Sequence, residues 1–150
     1  MVPRLQAEHD LSPVELAALE ECLNGDNRRK TGCDDDRGLI FVIRDETGGV
    51  IGIAAGYSWA GTAELKLMWV DEAYRGRGYG KKLLDAFTAE AASRGVGRVW
   101  VSSHDFQAPG LYEKAGFERM AELPQWPEGH SNVILCKTIA ARHRPGATEA

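Results

Sequence analysis

The chain has 150 residues, enough for one domain with a sizeable core, and its 43% hydrophobic and 27% charged residues exclude a wholly disordered polymer. A net charge of −4 at pH 7 argues against nucleic acid as the main partner, since such proteins carry a basic footprint over a whole face. No apolar run approaches the ~18 residues that span a bilayer, MVPRLQAEHD does not resemble a signal peptide, and Cys22, Cys33 and Cys136 form neither a disulfide framework nor a metal spacing. A reduced, cytoplasmic protein without membrane, nucleic acid or metal is expected.

The elements read, in chain order, as a short strand, a helical region, a strand pair, a third strand, a helix, a strand, a short helix, two strands and a tail. Ser12-Pro13 looks like an N-cap followed by proline at the first helical position, with Glu15 completing a capping box. Val14, Leu16, Ala17, Leu19, Cys22 and Leu23 suggest an apolar helical face, broken at Gly25-Asp26-Asn27 and again at Gly32. Leu39 to Arg44 and Val50 to Tyr57 read as a hairpin around Glu46-Thr47-Gly48-Gly49. Ala63 to Val70 reads as a strand with Glu64, Lys66, Met68 and Val70 on one face and Leu65, Leu67 and Trp69 on the other.

Gly80 to Arg94 fits a helix with Leu83, Leu84, Phe87 and Ala91 inward, stopped by Gly95. Val99 to Ser102 is a short buried-type strand, and Pro109 to Lys114 is one or two helical turns closed by Gly116. Phe117 to Leu123 and Val133 to Ile139 look like a final antiparallel pair. Residues 1–139 are expected to form one domain of mixed α/β (α+β) class, and residues 140–150, which lack apolar anchors, a flexible tail.

The stretch RGRGYGKKLL, Arg75 to Leu84, gathers three glycines and four cations at a helix start. Free amide N–H groups there and the helix dipole favour an anion, and glycines let a ligand approach the backbone. Arg75, Arg77, Lys81 and Lys82 add charge, so the ligand suited to the turn is a polyanion, most simply a pyrophosphate. A Walker A loop fails, because Arg75 stands at its first glycine and Lys82 at its hydroxyl position. A dinucleotide fingerprint fails because Lys81 stands at its third glycine.

What fits is RxxGxG, carried by Arg75, Gly78 and Gly80. It resembles motif A of the GNAT-type N-acetyltransferases, and ELKLMWVDEAYRGRGYGKKLL resembles that family's strand–loop–helix core over its full length. APGLYEKAGF, Ala108 to Phe117, resembles the family's AxxLYEKLGF element, and with the hairpin the likeness covers about residues 39 to 139. FQAPGLYEKAGFE followed by PEGH is similar to a small bacterial subgroup whose substrates are mostly unassigned. Three positions depart from the pattern: Glu72 replaces a usual proline, Asp105 a common asparagine that contacts the CoA arm, and Pro109-Gly110 the usual helix start.

The resemblance implies a single domain with a mixed, mostly antiparallel sheet opened by a splay and flanked by helices. It implies acetyl-CoA as co-substrate, with the pyrophosphate on Arg75, Gly76, Arg77, Gly78, Tyr79, Gly80 and Lys81 and the pantetheine arm on the backbone of Met68, Trp69 and Val70. A Met68 N–H facing the thioester carbonyl would be worth ~3 kcal/mol in the barrier. Tyr112 is the expected general acid, protonated at neutral pH, and Glu64 the expected general base, which needs burial or a relay water to match an ammonium. Asp35, within the acidic run Asp34-Asp35-Asp36, together with Tyr57 and His130, is expected at the acceptor site. His104 is expected to be a hydrogen-bonded structural residue.

The expected reaction is direct acetyl transfer to a primary amine of a small molecule, since no cysteine stands at a helix start beside a base. A protein lysine or N-terminus as acceptor, a non-catalytic acyl-CoA sensor, and a homodimer stay open at this point.

Overall fold

The computed structural model describes residues 1–140, so the expected tail lies almost wholly outside the described residues. The chain divides into two compact units, Met1–Asp34 and the part from Asp35 onward. Residues 1–12 hold no strand, contrary to expectation. Pro3 lacks an N–H, and Arg4, Glu8, His9 and Asp10 leave no alternating apolar face.

Helix α1 (Pro13–Thr31) starts at Ser12 with the full capping box, and the Ser12 hydrogen bonds hold the Glu15 carboxyl below its usual range. The break expected at Gly25-Asp26-Asn27 does not occur. A glycine inside a helix costs only about 1 kcal/mol against alanine, and Asp26 pairs with Arg29 one turn on. The helix ends at Gly32, whose φ of +72° is the left-handed cap that glycine allows. No α1 residue is buried. At 3.6 residues per turn Val14 and Leu23 fall on opposite sides, so the expected single apolar face is absent.

The second unit contains β1 (Arg37–Arg44), β2 (Val50–Trp59), β3 (Thr62–Val70), a 3-10 turn (Glu72–Tyr74), α2 (Tyr79–Ser93), β4 (Arg98–His104), α3 (Pro109–Lys114), β5 (Glu118–Pro124) and β6 (Ser131–Thr138). The sheet order is β1-β2-β3-β4-β6-β5. Every neighbouring pair is antiparallel except β3–β4, the pair joined through α2, as a parallel connection requires. The hairpin turn forms because the Asp45 carboxylate accepts the Thr47 and Gly49 amides.

Small residues on β2 bring α2 close to the sheet. Gly52, Ala54, Gly56 and Ser58 alternate on the inner face, and a Cβ on Gly52 would stand 3.1 Å from Leu83 Cδ1. Leu83, Leu84, Phe87 and Ala91 are buried, the four residues expected to face inward. Each large side chain among them contributes about 2–3 kcal/mol by leaving water. Arg94 fastens the helix end: its guanidinium donates to the carbonyls of Arg37 and Gly38 and to the buried Ser58 hydroxyl, and pairs with Glu90 at 3.0 Å. On α3, Tyr112 joins the same core, with its ring 5.7 Å from that of Phe117.

Strand β3 is not a regular ladder. Gly56 faces Leu65 and Ala55 faces Leu67, so Lys66 is an extra residue, a bulge. The expected alternation is therefore wrong beyond Leu65. Met68 and Val70 rejoin Leu65 on the core side, while Lys66, Leu67 and Trp69 point outward with Glu64. The bulge depends on Gly56, because a Cβ there would lie 1.8 Å from the Glu64 carbonyl oxygen.

Candidate active site

The bulge coincides with the end of β3–β4 pairing. The two strands pair from Thr62↔Arg98 to Leu65↔Val101 and no further, while β4 stays paired to β6 through His104. Above Leu65 the sheet opens into a cleft. The Asp71 N–H donates to the Ile51 carbonyl on β2. By antiparallel alternation Trp69 and Leu67 also turn their peptide groups to β2, and Met68 and Val70 turn theirs to the cleft. The Val70 carbonyl is taken there by Arg75 Nε at 2.9 Å. The Met68 peptide group and the Val70 N–H thus line the cleft edge, whereas Trp69 offers it no backbone.

The glycine-rich turn stands at the upper end of this edge. Gly76 and Gly78 have φ of +73° and +84°, conformations that side-chain-bearing residues rarely adopt. Gly78 is the N-cap of α2, and no side chain caps the helix. The first intrahelical bond is Lys82 N–H to Gly78 O, so the amides of Tyr79, Gly80 and Lys81 have no partner within the helix. Arg77 and Lys82 lie over the rings of Tyr74 and Tyr79, and Lys81 pairs with Asp85. Unclaimed amides ringed by cations are the donor set that a phosphate group requires, so a pyrophosphate fits.

A Cβ on Gly80 would meet Leu111 Cδ2 at 3.4 Å, which sets α3 beside the start of α2. Tyr112, the next residue, is only 4% exposed. Among the described residues no polar side-chain atom is fully buried without a partner, and the Tyr112 hydroxyl bonds to no protein group, so the accessible fraction includes that hydroxyl. Burial pushes the phenol up to about 12.

Below the cleft, where β3 and β4 still pair, the outer sheet face holds a hollow of about 250 Å³ lined by Tyr57, Trp59, Ala60, Thr62, Glu64 and Trp100. Tyr57 and Glu64 are direct cross-strand partners, as are Glu64 and Trp100. Burial and the neighbouring Glu64 carboxylate raise the Tyr57 phenol above its ordinary value, and Lys66 Nζ lies 5.3 Å from its ring centre. Asp35 reaches this region through the β2–β3 turn, accepting the Ala60 N–H at 3.0 Å.

His130 belongs to a third cluster. Its Nδ1 lies 2.8 Å from Asp105 Oδ1, and the other Asp105 oxygen accepts the Ser131 N–H at 3.1 Å. Desolvation opposes the Asp105 charge, but these hydrogen bonds outweigh it and hold the carboxyl below its usual range. Phe106 packs its ring 5.0 Å from His130 and stacks 5.1 Å from His104, whose Nδ1 meets the Trp126 carbonyl at 3.0 Å. His104 thus has the hydrogen-bonded place expected for it.

The structure groups the sequence-predicted residues at three places: the turn and cleft edge, the hollow with Glu64 and Tyr57, and the His130 cluster. Sequence reasoning missed Trp100 in the hollow, Gly56 and the Lys66 bulge, and the Asp105–His130 pair. A lone glycine inside the strand pattern AAGYSW was the available signal for the bulge. The pair, 25 residues apart, left no local signal.

An open sheet whose cleft runs from a glycine-rich helix start defines a class, and the chain belongs to it: it is a GNAT acetyltransferase. The family model described as an acetyltransferase (GNAT) domain matches residues 36–119. Blasticidin-S acetyltransferase of Streptomyces morookaense is 30% identical over 142 residues, covering 92% of this chain and 98% of that protein. A crystal structure from Agrobacterium tumefaciens, assigned to the acetyltransferases, has a TM-score of 0.81 at 29% identity, covering 93% of this chain and all of that one (100%). The same fold, at a TM-score of 0.60, 18% identity and coverage of 68% and 62%, occurs in a Bacillus anthracis protein grouped with streptothricin acetyltransferases and solved with acetyl coenzyme A. Among the described residues no helix is long and apolar enough to cross a membrane.

Proposed function

We propose that this protein transfers an acetyl group from acetyl-CoA directly to a primary amine of a small molecule. The observation that carries the reading is the opened β3 edge, where the peptide groups of Met68 and Val70 face a cleft that starts at the Gly76–Gly80 turn. In this reading the turn, with Arg75, Arg77 and the amides of Tyr79, Gly80 and Lys81, binds the pyrophosphate. Met68 N–H holds the thioester carbonyl and stabilises its developing charge by ~3 kcal/mol. Tyr112, protonated at every physiological pH, donates to the departing sulfur.

The hollow receives the acceptor. Its aromatic walls and the Glu64 carboxylate suit an organic cation. Asp35 steadies the turn that forms its rim. A volume of about 250 Å³ suits a small guest rather than a folded protein surface. The relative from Streptomyces morookaense, which this chain matches nearly end to end, is named for a small molecule, blasticidin-S. Glu64 lies four residues before Met68, roughly 12 Å along the strand at ~3.3 Å per residue. From there it draws the cation in, and it takes the ammonium's surplus proton through water before attack.

The test is CoA-thiol release from acetyl-CoA over a panel of polyamines, aminoglycosides, blasticidin-S and lysine peptides. Release with small amines, lowered about 10²-fold by Tyr112→Phe, is the expected outcome. Release with peptides alone would move the acceptor to protein lysine. Binding of acetyl-CoA without any release would leave a sensor in place of an enzyme.

A further inference from the structure

We propose that His130, oriented by Asp105, is the group that takes the proton directly from the attacking amine. This rests on the reading above, in which the Met68 N–H marks the height of the reacting carbonyl. Glu64 is level with Trp100 on β4, since the two are register partners. Met68 is four residues beyond Glu64, but one of these is the extra residue Lys66, so Met68 stands at about the height of Ser103, one residue short of His104 on the opposite wall of the cleft. Asp105 is the next residue, and His130 is bound to it. The His130 cluster is therefore within about two residues' rise of the carbonyl, and Glu64 is at the floor.

The pair is built as an oriented base. Asp105 is clamped at both ends, its N–H donating to Ser131 O at 3.0 Å and its carboxylate accepting from Ser131 N–H. The backbone of His130 is fixed in turn, with its N–H on Pro127 O at 2.8 Å and its carbonyl on Trp126 N–H at 3.1 Å. Phe106 supports one side of the ring. A carboxylate at Nδ1 selects the tautomer that carries its proton there, which leaves the Nε2 lone pair as acceptor. Asp105 is in direct contact with the ring, and His104 lies on the far side of Phe106.

In the step, the amine nitrogen forms the C–N bond at the thioester carbonyl carbon and its proton passes to His130 Nε2. The C–S bond breaks, the sulfur takes a proton from Tyr112, and the proton on His130 returns to the phenolate through solvent. The sum is amine plus thioester to amide plus thiol. Asp105 here does a different task from the asparagine of the wider family pattern, since both of its oxygens are engaged within the protein.

His130→Asn separates a base from a loop staple, because the asparagine amide keeps a donor near the Nδ1 position but has no basic nitrogen. The reaction is followed with acetyl-CoA and either blasticidin-S or spermidine, and with water alone, across pH 5.5 to 9. The expected result is a kcat lowered about 10²-fold with KM within about threefold and acetyl-CoA binding retained. Glu64→Gln should instead act mainly on KM. Asp105→Asn should lower kcat about tenfold, since the ring loses the carboxylate that orients it.

In the free protein, nitrogen NMR should find His130 protonated at Nδ1 in the wild type and a tautomer mixture in Asp105→Asn. Wild-type release that His130→Asn leaves unchanged would overturn the base alone, as would a tautomer mixture in the wild type. No wild-type release with any of the three acceptors would overturn the acetyl-transfer reading and the base with it.

Discussion

At the scale of single residues, two positions carry most of the site's geometry. Gly56 is where β2 admits the bulge of β3, and any Cβ there meets the Glu64 carbonyl at 1.8 Å. Gly56→Ala must therefore displace the strand that carries both Glu64 and Met68. A loss of about 2–4 kcal/mol in urea unfolding is expected, with a larger fall in turnover than stability alone explains. Tyr112 gives a pH test. Folding raises its phenol from about 10 to about 12, so the folded state keeps this proton longer than the unfolded chain. Its contribution is whole below about pH 10 and falls as pH rises toward 12, by about 3 kcal/mol at the limit. Thermal unfolding of the wild type should lose ground to Tyr112→Phe over that interval, and a constant gap between them would refute the assignment.

At the scale of elements, α2 connects the core to the cleft. Its start supplies the open amides, its middle fills the small-residue groove of β2, and its end is fastened by Arg94. The Arg94 side chain is 10% exposed and serves two carbonyls, a buried hydroxyl and Glu90. Arg94→Ala leaves the Ser58 hydroxyl buried without its donor, and about 2–4 kcal/mol should be lost in chemical denaturation. The bulge can be tested in the same way. Deleting Lys66 would restore regular alternation in β3, with Met68 and Val70 still inward and Leu67 and Trp69 still outward, and remove the bulge at which the splay begins. A folded deletion variant is expected to lose acetyl-CoA binding, and unchanged binding measured by calorimetry would show that the cleft does not depend on the bulge.

At the scale of the whole molecule, no disulfide joins any two of Cys22, Cys33 and Cys136. Melting temperature should be the same with and without a thiol reductant, and a drop on reduction would reveal a cross-link. The opening lies within the single parallel pairing of an otherwise antiparallel sheet. β1 and β2 support β3 along one edge, β6 supports β4 along the other, and each wall of the cleft is braced from behind while the gap between them stays free.

The sequence by itself determined the order of strands and helices from α1 onward, the inner face of α2 and the glycine-rich turn at its start. These are local: periodicity, capping residues and glycines act within a few positions of each other, and Leu83, Leu84, Phe87 and Ala91 took the places that their spacing demanded. It overreached where local signals were weak. Gly25 did not stop α1, and alternation along β3 failed at Lys66 because a bulge is a property of two strands rather than one. Only the tertiary structure decided which backbone groups face the cleft, that Tyr57, Glu64 and Trp100 share one hollow, and that Asp105 holds His130 across 25 positions of chain. Those pairings arise from register and strand crossing, which bring together residues that have no fixed spacing in the sequence.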